Sequence, residues 1–149
     1  MPITKVNKDV NHCRYFITMT IEKWYYIFDR YDRWDILAES LKYCQKNKGL
    51  KIFAYVFMLN HIHMIIQSDN VAGFLRDFKT FTSKKFRDNL NKTEPKVLKL
   101  FIDKKTEKYS FWQKSNKPKI METEKFFLQK MNYILNNPVK KGYVERPEY

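Results

Sequence analysis

Glycine is scarce in this 149-residue chain, with three residues, and proline is little commoner with five, whereas aromatics make up 17%. Disordered and low-complexity chains have the opposite balance, so a packed globule is expected. Cysteine is limited to Cys13 and Cys44, with no C-x-x-C pair. Both thiols are therefore expected free in a reducing cytoplasm. No apolar run is long enough to span a bilayer and no secretory apolar segment is recognisable, so no membrane partner is expected. Asn91-Lys92-Thr93 fits a glycosylation acceptor, which without an export signal is read as chance. The last shortage is of acid: 16 Asp and Glu stand against 29 Lys and Arg, a net charge of +13.

At this length one domain, 1–149, is expected, large enough to close a hydrophobic core. Its excess charge is unevenly spread. Residues 76–119 hold 14 Lys and Arg against 5 Asp and Glu, so most of the net charge lies in under a third of the chain. A uniform solubility device would be dispersed; a block of this kind points to a polyanion, and nucleic acid is the expected partner.

Periodicity divides the chain into alternating strand and helix patterns. Residues 1–13 are polar and read as an arm or loop. Tyr15 to Ile21 alternates as a strand does, and Trp24-Tyr25-Tyr26-Ile27-Phe28 is apolar enough to cover a sheet edge. Asp32 is placed to cap a helix with Trp34, Leu37, Ala38, Leu41 and Cys44 on its core face, closed by Gly49 in a left-handed conformation. Lys51 to Met58 and His61 to Gln67 predict two antiparallel strands joined at Leu59-Asn60. From Val71 to Leu90 a helix is predicted whose Val71, Phe74, Leu75, Phe78, Phe81, Thr82 and Phe86 form a core stripe. Its Arg76, Lys79, Lys84 and Arg87 gather on the other side as a phosphate-facing surface. A short helix and loop follow to Ser110, with Phe111-Trp112-Gln113 as a brief strand or packing anchor. A last helix is expected from after Thr123 to near Pro138, with Phe127, Leu128, Met131, Ile134 and Leu135 inward.

Two features carry chemistry. In Asn60-His61-Ile62-His63-Met64-Ile65-Ile66 a strand puts both imidazoles on one sheet face, where neutral imidazole is a common metal ligand. On the last helix Tyr133 lies off the core stripe, and Asn137, one turn on, is about 40° away from it. A histidine pair, a phenol with a carboxamide on one helical face and a basic surface are the parts of metal-assisted phosphodiester cleavage by a phenolic nucleophile. In that reading His61 and His63, with Asn137 or Gln129 as third ligand, hold Mg²⁺ or Mn²⁺. Tyr133 attacks phosphorus to form a 5′-phosphotyrosine link and release a 3′-hydroxyl. The blander alternative is a sheet-lining histidine pair and a surface tyrosine.

The set Asn60-His61-Ile62-His63, Phe111-Trp112-Gln113 and Asn132-Tyr133-Ile134-Leu135-Asn136-Asn137-Pro138-Val139-Lys140-Lys141-Gly142 resembles the REP-associated tyrosine transposases, a branch of the HUH single-strand DNA transposases. The resemblance spans roughly residues 14–147. It implies an α+β, ferredoxin-like antiparallel β-sheet with helices packed on it. His61 and His63 then match the HUH pair, Tyr133 the nucleophile and Asn137 the helix-borne metal ligand. It further implies cutting and joining of single-stranded DNA beside hairpins. After Trp112-Gln113 many relatives carry an aromatic and histidine-containing stretch, where this chain has Lys114-Ser115-Asn116-Lys117-Pro118. In the wider superfamily the tyrosine helix can complete a partner's active site, whereas REP-associated members can act alone, so monomer and homodimer both stay open. Two other readings compete: a hairpin-binding module without catalysis, and a replication-initiator type of HUH nuclease, which would need further domains.

Overall fold

The structure is a computed structural model that describes residues 13–140, with side chains through residue 136. The expected N-terminal arm or loop, Cys13 apart, and the end of the family-like stretch beyond Lys140 lie outside the described residues. In chain order the elements are β1 (Tyr15–Thr20), α1 (Arg33–Asn47), β2 (Lys51–Phe57), β3 (His61–Gln67), α2 (Val71–Thr93), α3 (Pro95–Leu98), β4 (Lys119–Ile120) and α4 (Glu124–Lys140). Single 3₁₀ turns occupy Glu22–Trp24 and Lys99–Phe101. The sheet runs β2-β3-β1-β4 with every neighbouring pair antiparallel, a ferredoxin-like α+β arrangement.

The two central strands are apolar on both faces because both faces are covered. Ile17 and Met19 of β1 and Ile62, Met64 and Ile66 of β3 pack against Leu37, Leu41 and Cys44 of α1 and against Phe74, Phe78 and Phe86 of α2. Phe16, Val56 and Ile65 point the other way, under Ile134, Phe127 and Met131 of α4. α1 and α2 thus share one side of the sheet and α4 holds the other, and strand parity assigns His61 and His63, which alternate with Ile62 and Met64, to the α4 side.

Several expected details are corrected. α1 turns Arg33 inward with Leu37, Ser40, Leu41 and Cys44, leaving Trp34 at the rim. There the Trp34 indole N–H donates to the Met58 carbonyl at 3.0 Å. Asp32 stands at the N-terminal boundary, but its left-handed backbone (φ 59°) is not the extended conformation of a capping residue, and its carboxylate makes no cap bond. Gly49 does take the left-handed conformation, at φ 66°. Phe81 leaves the α2 core stripe to stack on Tyr43 at the surface. On α4, Leu128 and Leu135 are exposed and Phe126 joins the packed side. The helix also runs past Pro138 to Lys140, although Pro138 has no N–H to donate to the residue-134 carbonyl. The two-residue β4 is too short to leave a periodic trace.

Ile27 and Phe28 are buried in the core rather than laid along a sheet edge. Trp112 is a packing anchor: it is buried against Phe28, Phe78 and Phe86, with its indole N–H on the Thr82 hydroxyl at 2.9 Å. No helix of the described residues is long and apolar enough to cross a membrane.

Candidate active site and nucleic-acid interface

His61 and His63 enter the site from β3, which is hydrogen-bonded on both sides and so holds its side chains rigidly. Their ring centroids are 4.8 Å apart and nearly perpendicular. Each ring is oriented by an oxygen at Nδ1. Thr18, directly across from His63 in the β1–β3 register, puts its hydroxyl 2.9 Å from that ring's Nδ1. Asn60 places Oδ1 2.7 Å from Nδ1 of His61, and its own Nδ2 donates to the Trp24 carbonyl at 2.9 Å. With the amide so oriented, Oδ1 accepts, the His61 proton sits on Nδ1, and the lone pair belongs to Nε2.

Tyr133 arrives from the opposite layer. α4 starts where the Thr123 hydroxyl accepts the Phe126 amide at 3.1 Å, and Phe127, Met131 and Ile134 seat the helix on the sheet. That seating sets the Tyr133 ring edge-on to His63 at 5.3 Å and to Phe16 at 5.9 Å between centroids, while Phe16 stacks on His63 at 5.5 Å. The tyrosine is 42% exposed, so its phenol is supported on one side and reachable on the other. Histidine pair and phenol therefore meet within one chain. Asn137 lies one turn further along α4, with its side chain outside the described residues, and Gln129 lies exposed one turn before Tyr133.

The donor set fits a divalent cation: two imidazoles on one rigid strand, each with its second nitrogen on a protein oxygen, the usual arrangement of metal-bound histidine. Among the described residues no group of three or more His, Cys, Asp or Glu converges, so a third ligand drawn from them would be of another kind, as a carboxamide is.

The basic residues predicted on α2 divide. Arg76, Lys84 and Arg87 are exposed. Arg76 reaches Asp77 at 3.2 Å, and Arg87 lies over the Tyr109 ring at 4.7 Å, at the edge of a polar cleft shared with Lys84 and Asn91. Lys79 is not part of that surface. Its ammonium is half-buried and donates to the carbonyls of Gln113 (2.9 Å) and Lys114 (3.4 Å), and burial, partly offset by Glu22, lowers its pKa to about 8. Lys79 ties the Gln113–Lys114 segment to α2. Because α2 covers the other side of the sheet, the exposed stripe and the histidine–tyrosine cluster occupy opposite faces of the molecule.

Sequence reasoning missed Thr18, Asn60 and Lys130, a lysine one turn before Tyr133. Asn60 adjoins His61 and was legible as a neighbour. Thr18 and Lys130 become site residues only through strand register and helix seating.

The signature of the family described as "Transposase IS200 like" matches residues 9–137. Among solved structures, the chain resembles a REP-associated tyrosine transposase bound to a REP hairpin, with a TM-score of 0.70 and 18% identity, over 99% of this chain and 78% of that one. It also resembles a candidate transposase from Deinococcus radiodurans R1, with a TM-score of 0.53 and 16% identity, over 89% and 96% of the two chains. At these identities the likenesses bear on the fold. No curated protein matches the sequence. With the family signature extending over most of its length, including the histidine strand and Tyr133, the chain belongs to the IS200-like transposases.

Proposed function

We propose that this chain is a metal-dependent single-stranded DNA transposase of the REP-associated kind, cutting and rejoining DNA beside hairpin repeats with Tyr133 as nucleophile. The observation that carries the reading is the Tyr133 ring 5.3 Å from His63, itself 4.8 Å from His61, in a chain of this family. The solved relative bound to a REP hairpin supports DNA as partner.

The Tyr133 oxygen attacks the scissile phosphorus in line, forming the phosphotyrosine bond as the P–O3′ bond breaks. The phenol loses its proton to solvent, and the departing 3′-oxygen gains one. The phosphate stays on the 5′ end of the downstream strand, joined to protein. A 3′-hydroxyl can reverse the step at another end, conserving the phosphodiester without a nucleotide cofactor. His61 and His63, with Asn137 or Gln129, would hold Mg²⁺ or Mn²⁺. Such an ion, when bound, supplies Lewis acidity toward a non-bridging phosphate oxygen. Thr18 and Asn60 fix the two rings, and Phe16 backs both His63 and Tyr133, so the groups keep their spacing as substrate enters. Arg76, Lys84 and Arg87, on the far side of the sheet, are assigned to the duplex part of a hairpin.

The test is a 3′-labelled single-stranded hairpin substrate incubated with protein and Mn²⁺, then denatured and resolved by size. A covalent protein–DNA adduct is expected, absent in Tyr133→Phe and with chelator. Tight hairpin binding without adduct in the native chain would instead make it a binding module that has lost catalysis.

A further inference from the structure

Two lysines that the α2 stripe does not include lie on the α4 side of the sheet, Lys130 beside Tyr133 and Lys119 opposite Phe16. The Lys130 ammonium lies 4.8 Å from the centre of the Phe16 ring, 5.2 Å from that of Tyr133 and 5.8 Å from that of Phe126. Lys119 belongs to β4, where it pairs directly with Phe16. Directly opposed residues of neighbouring strands project to the same face, so Lys119 rises on the α4 side, where Phe16 and His63 are. The two ammonium groups act on each other: burial first, then the charge of Lys119, lowers the pKa of Lys130.

Among the described residues neither lysine has a carboxylate partner. The salt bridge on this side of the sheet is taken up by Arg14 and Glu124. Aromatic faces explain how Lys130 is held, since their negative quadrupoles attract the ammonium. They do not cancel its charge, and they displace water that would screen it from Lys119. Two cations with no carboxylate partner among the described residues, beside the half-exposed Tyr133 ring, are the two components by which proteins grip single strands: positive charge for the backbone and an aromatic surface for a base.

We propose that Lys119 and Lys130 bind a backbone phosphate of the single-stranded substrate next to the bond that Tyr133 attacks. The proposal rests on the reading of Tyr133 as nucleophile and adds where the strand lies: across the β4–β1 side of α4, over Phe16. The sheet separates this strand path from the α2 stripe, so single-stranded and duplex parts of one substrate are held on different surfaces. A phosphodiester strand suits the site better than a small anion, because the charge adjoins the half-exposed Tyr133 ring, which a free phosphate would leave unused.

The experiment uses the full chain carrying Tyr133→Phe, so that binding is read without cleavage, and a fluorescein-labelled mixed-sequence oligonucleotide without self-complementarity. Affinity is measured by anisotropy across a salt series. On single strands each phosphate contact contributes about 0.7 to the slope of log affinity against log salt. Because the two lysines share one phosphate, the double variant Lys119→Gln/Lys130→Gln is expected to flatten the slope by about 0.7 and each single variant by part of that, with Lys130→Arg retaining the parent slope. A double variant that melts like its parent yet keeps its slope overturns the proposal. So does weakened binding at unchanged slope that Lys130→Arg fails to restore, which would make the lysines packing residues. The adduct assay is scored separately with Tyr133 intact. Its failure would remove Tyr133 as nucleophile, while the slopes would still decide whether the lysine pair holds the strand.

Discussion

Replacing Arg33 by methionine tests the least sequence-like feature of the fold, a fully buried guanidinium at the first residue of α1. Its Nε donates to Asn89 Oδ1 at 2.9 Å and its two terminal nitrogens donate to the Ile27 carbonyl at 2.9 Å and the Thr93 hydroxyl at 3.1 Å. It also pairs with Glu94 at 2.8 Å. Arg33 thus joins the loop before α1 to the C-terminal end of α2. In Arg33→Met the Ile27 carbonyl loses the side-chain donor held inside the protein, and Asn89 Oδ1 keeps only a long contact from Thr93 at 3.4 Å. Two impaired acceptors at roughly 1–3 kcal/mol each, set against relief of the desolvated cation, give an expected loss of about 2–4 kcal/mol. Glu94 is not orphaned, because Arg30 grips both its oxygens at 2.8 and 3.2 Å. Adding Arg30→Met removes that second hold, so the double variant should lose about 1 kcal/mol or more beyond the sum of the singles.

The pH limb follows from Glu94. Burial alone would raise its carboxyl pKa, but hydrogen bonds and charge from Arg30 and Arg33 bring it below the ordinary carboxylate value. Its stabilising contribution is therefore present above the unfolded pKa, about 4.3, and is lost as pH falls through the depressed folded value. That acid limb should shrink in Arg33→Met. Urea unfolding at several pH values reads both effects. An Arg33→Met midpoint within error of the parent, or strict additivity with Arg30→Met, would refute the assignment of a shared buried network.

Three further outcomes are expected. Because the folded pKa of Lys79 lies near 8, well below the lysine value, the unfolded chain binds more protons between about pH 8 and 10.4 and stability rises with pH across that window. Lys79→Met should flatten that rise by about 1–2 kcal/mol, after allowance for partial exposure, and denaturant melts at pH 7.5 and 10 that differ equally in both proteins would contradict it. Thr18→Val should weaken Mn²⁺ binding by roughly 10–100-fold, as loss of a ring-orienting partner does elsewhere, with Thr18→Ser retaining it; calorimetric titration decides, and an unaffected Thr18→Val would leave His63 oriented by packing alone. Arg87→Ala should lower the salt slope for hairpin duplex by about 0.9 while leaving that for an unstructured single strand unchanged. Loss with both substrates would place α2 on the single-strand path.

Much of the site was legible before any coordinates. The spacing of His61 and His63 needs only strand parity to face both rings one way, and this held because β3 is a regular strand in mid-sheet. Tyr133 was legible as a polar aromatic off an apolar stripe, though the stripe itself was read too widely at Leu128 and Leu135. The inward turn of Arg33 was not legible, since a charge enters a core only when tertiary partners meet it, and Asn89, Thr93 and Glu94 lie more than fifty residues away. The same limit hid the role of Lys79, which periodicity placed among exposed cations but which the Gln113–Lys114 backbone folds over.

The amino-acid order by itself determined element types, most boundaries and the inventory of reactive groups, because hydrophobic period and short motifs are local properties. Which groups became neighbours was decided by the tertiary structure. Strand register put Thr18 against His63 and Lys119 against Phe16, and the seating of α4 by Ile134 and Met131 brought Tyr133 and Lys130 to the histidine face. Sheet parity then sent α2 and its arginines to the other side. Such proximities depend on contacts between residues far apart in the chain, and no local pattern encodes them.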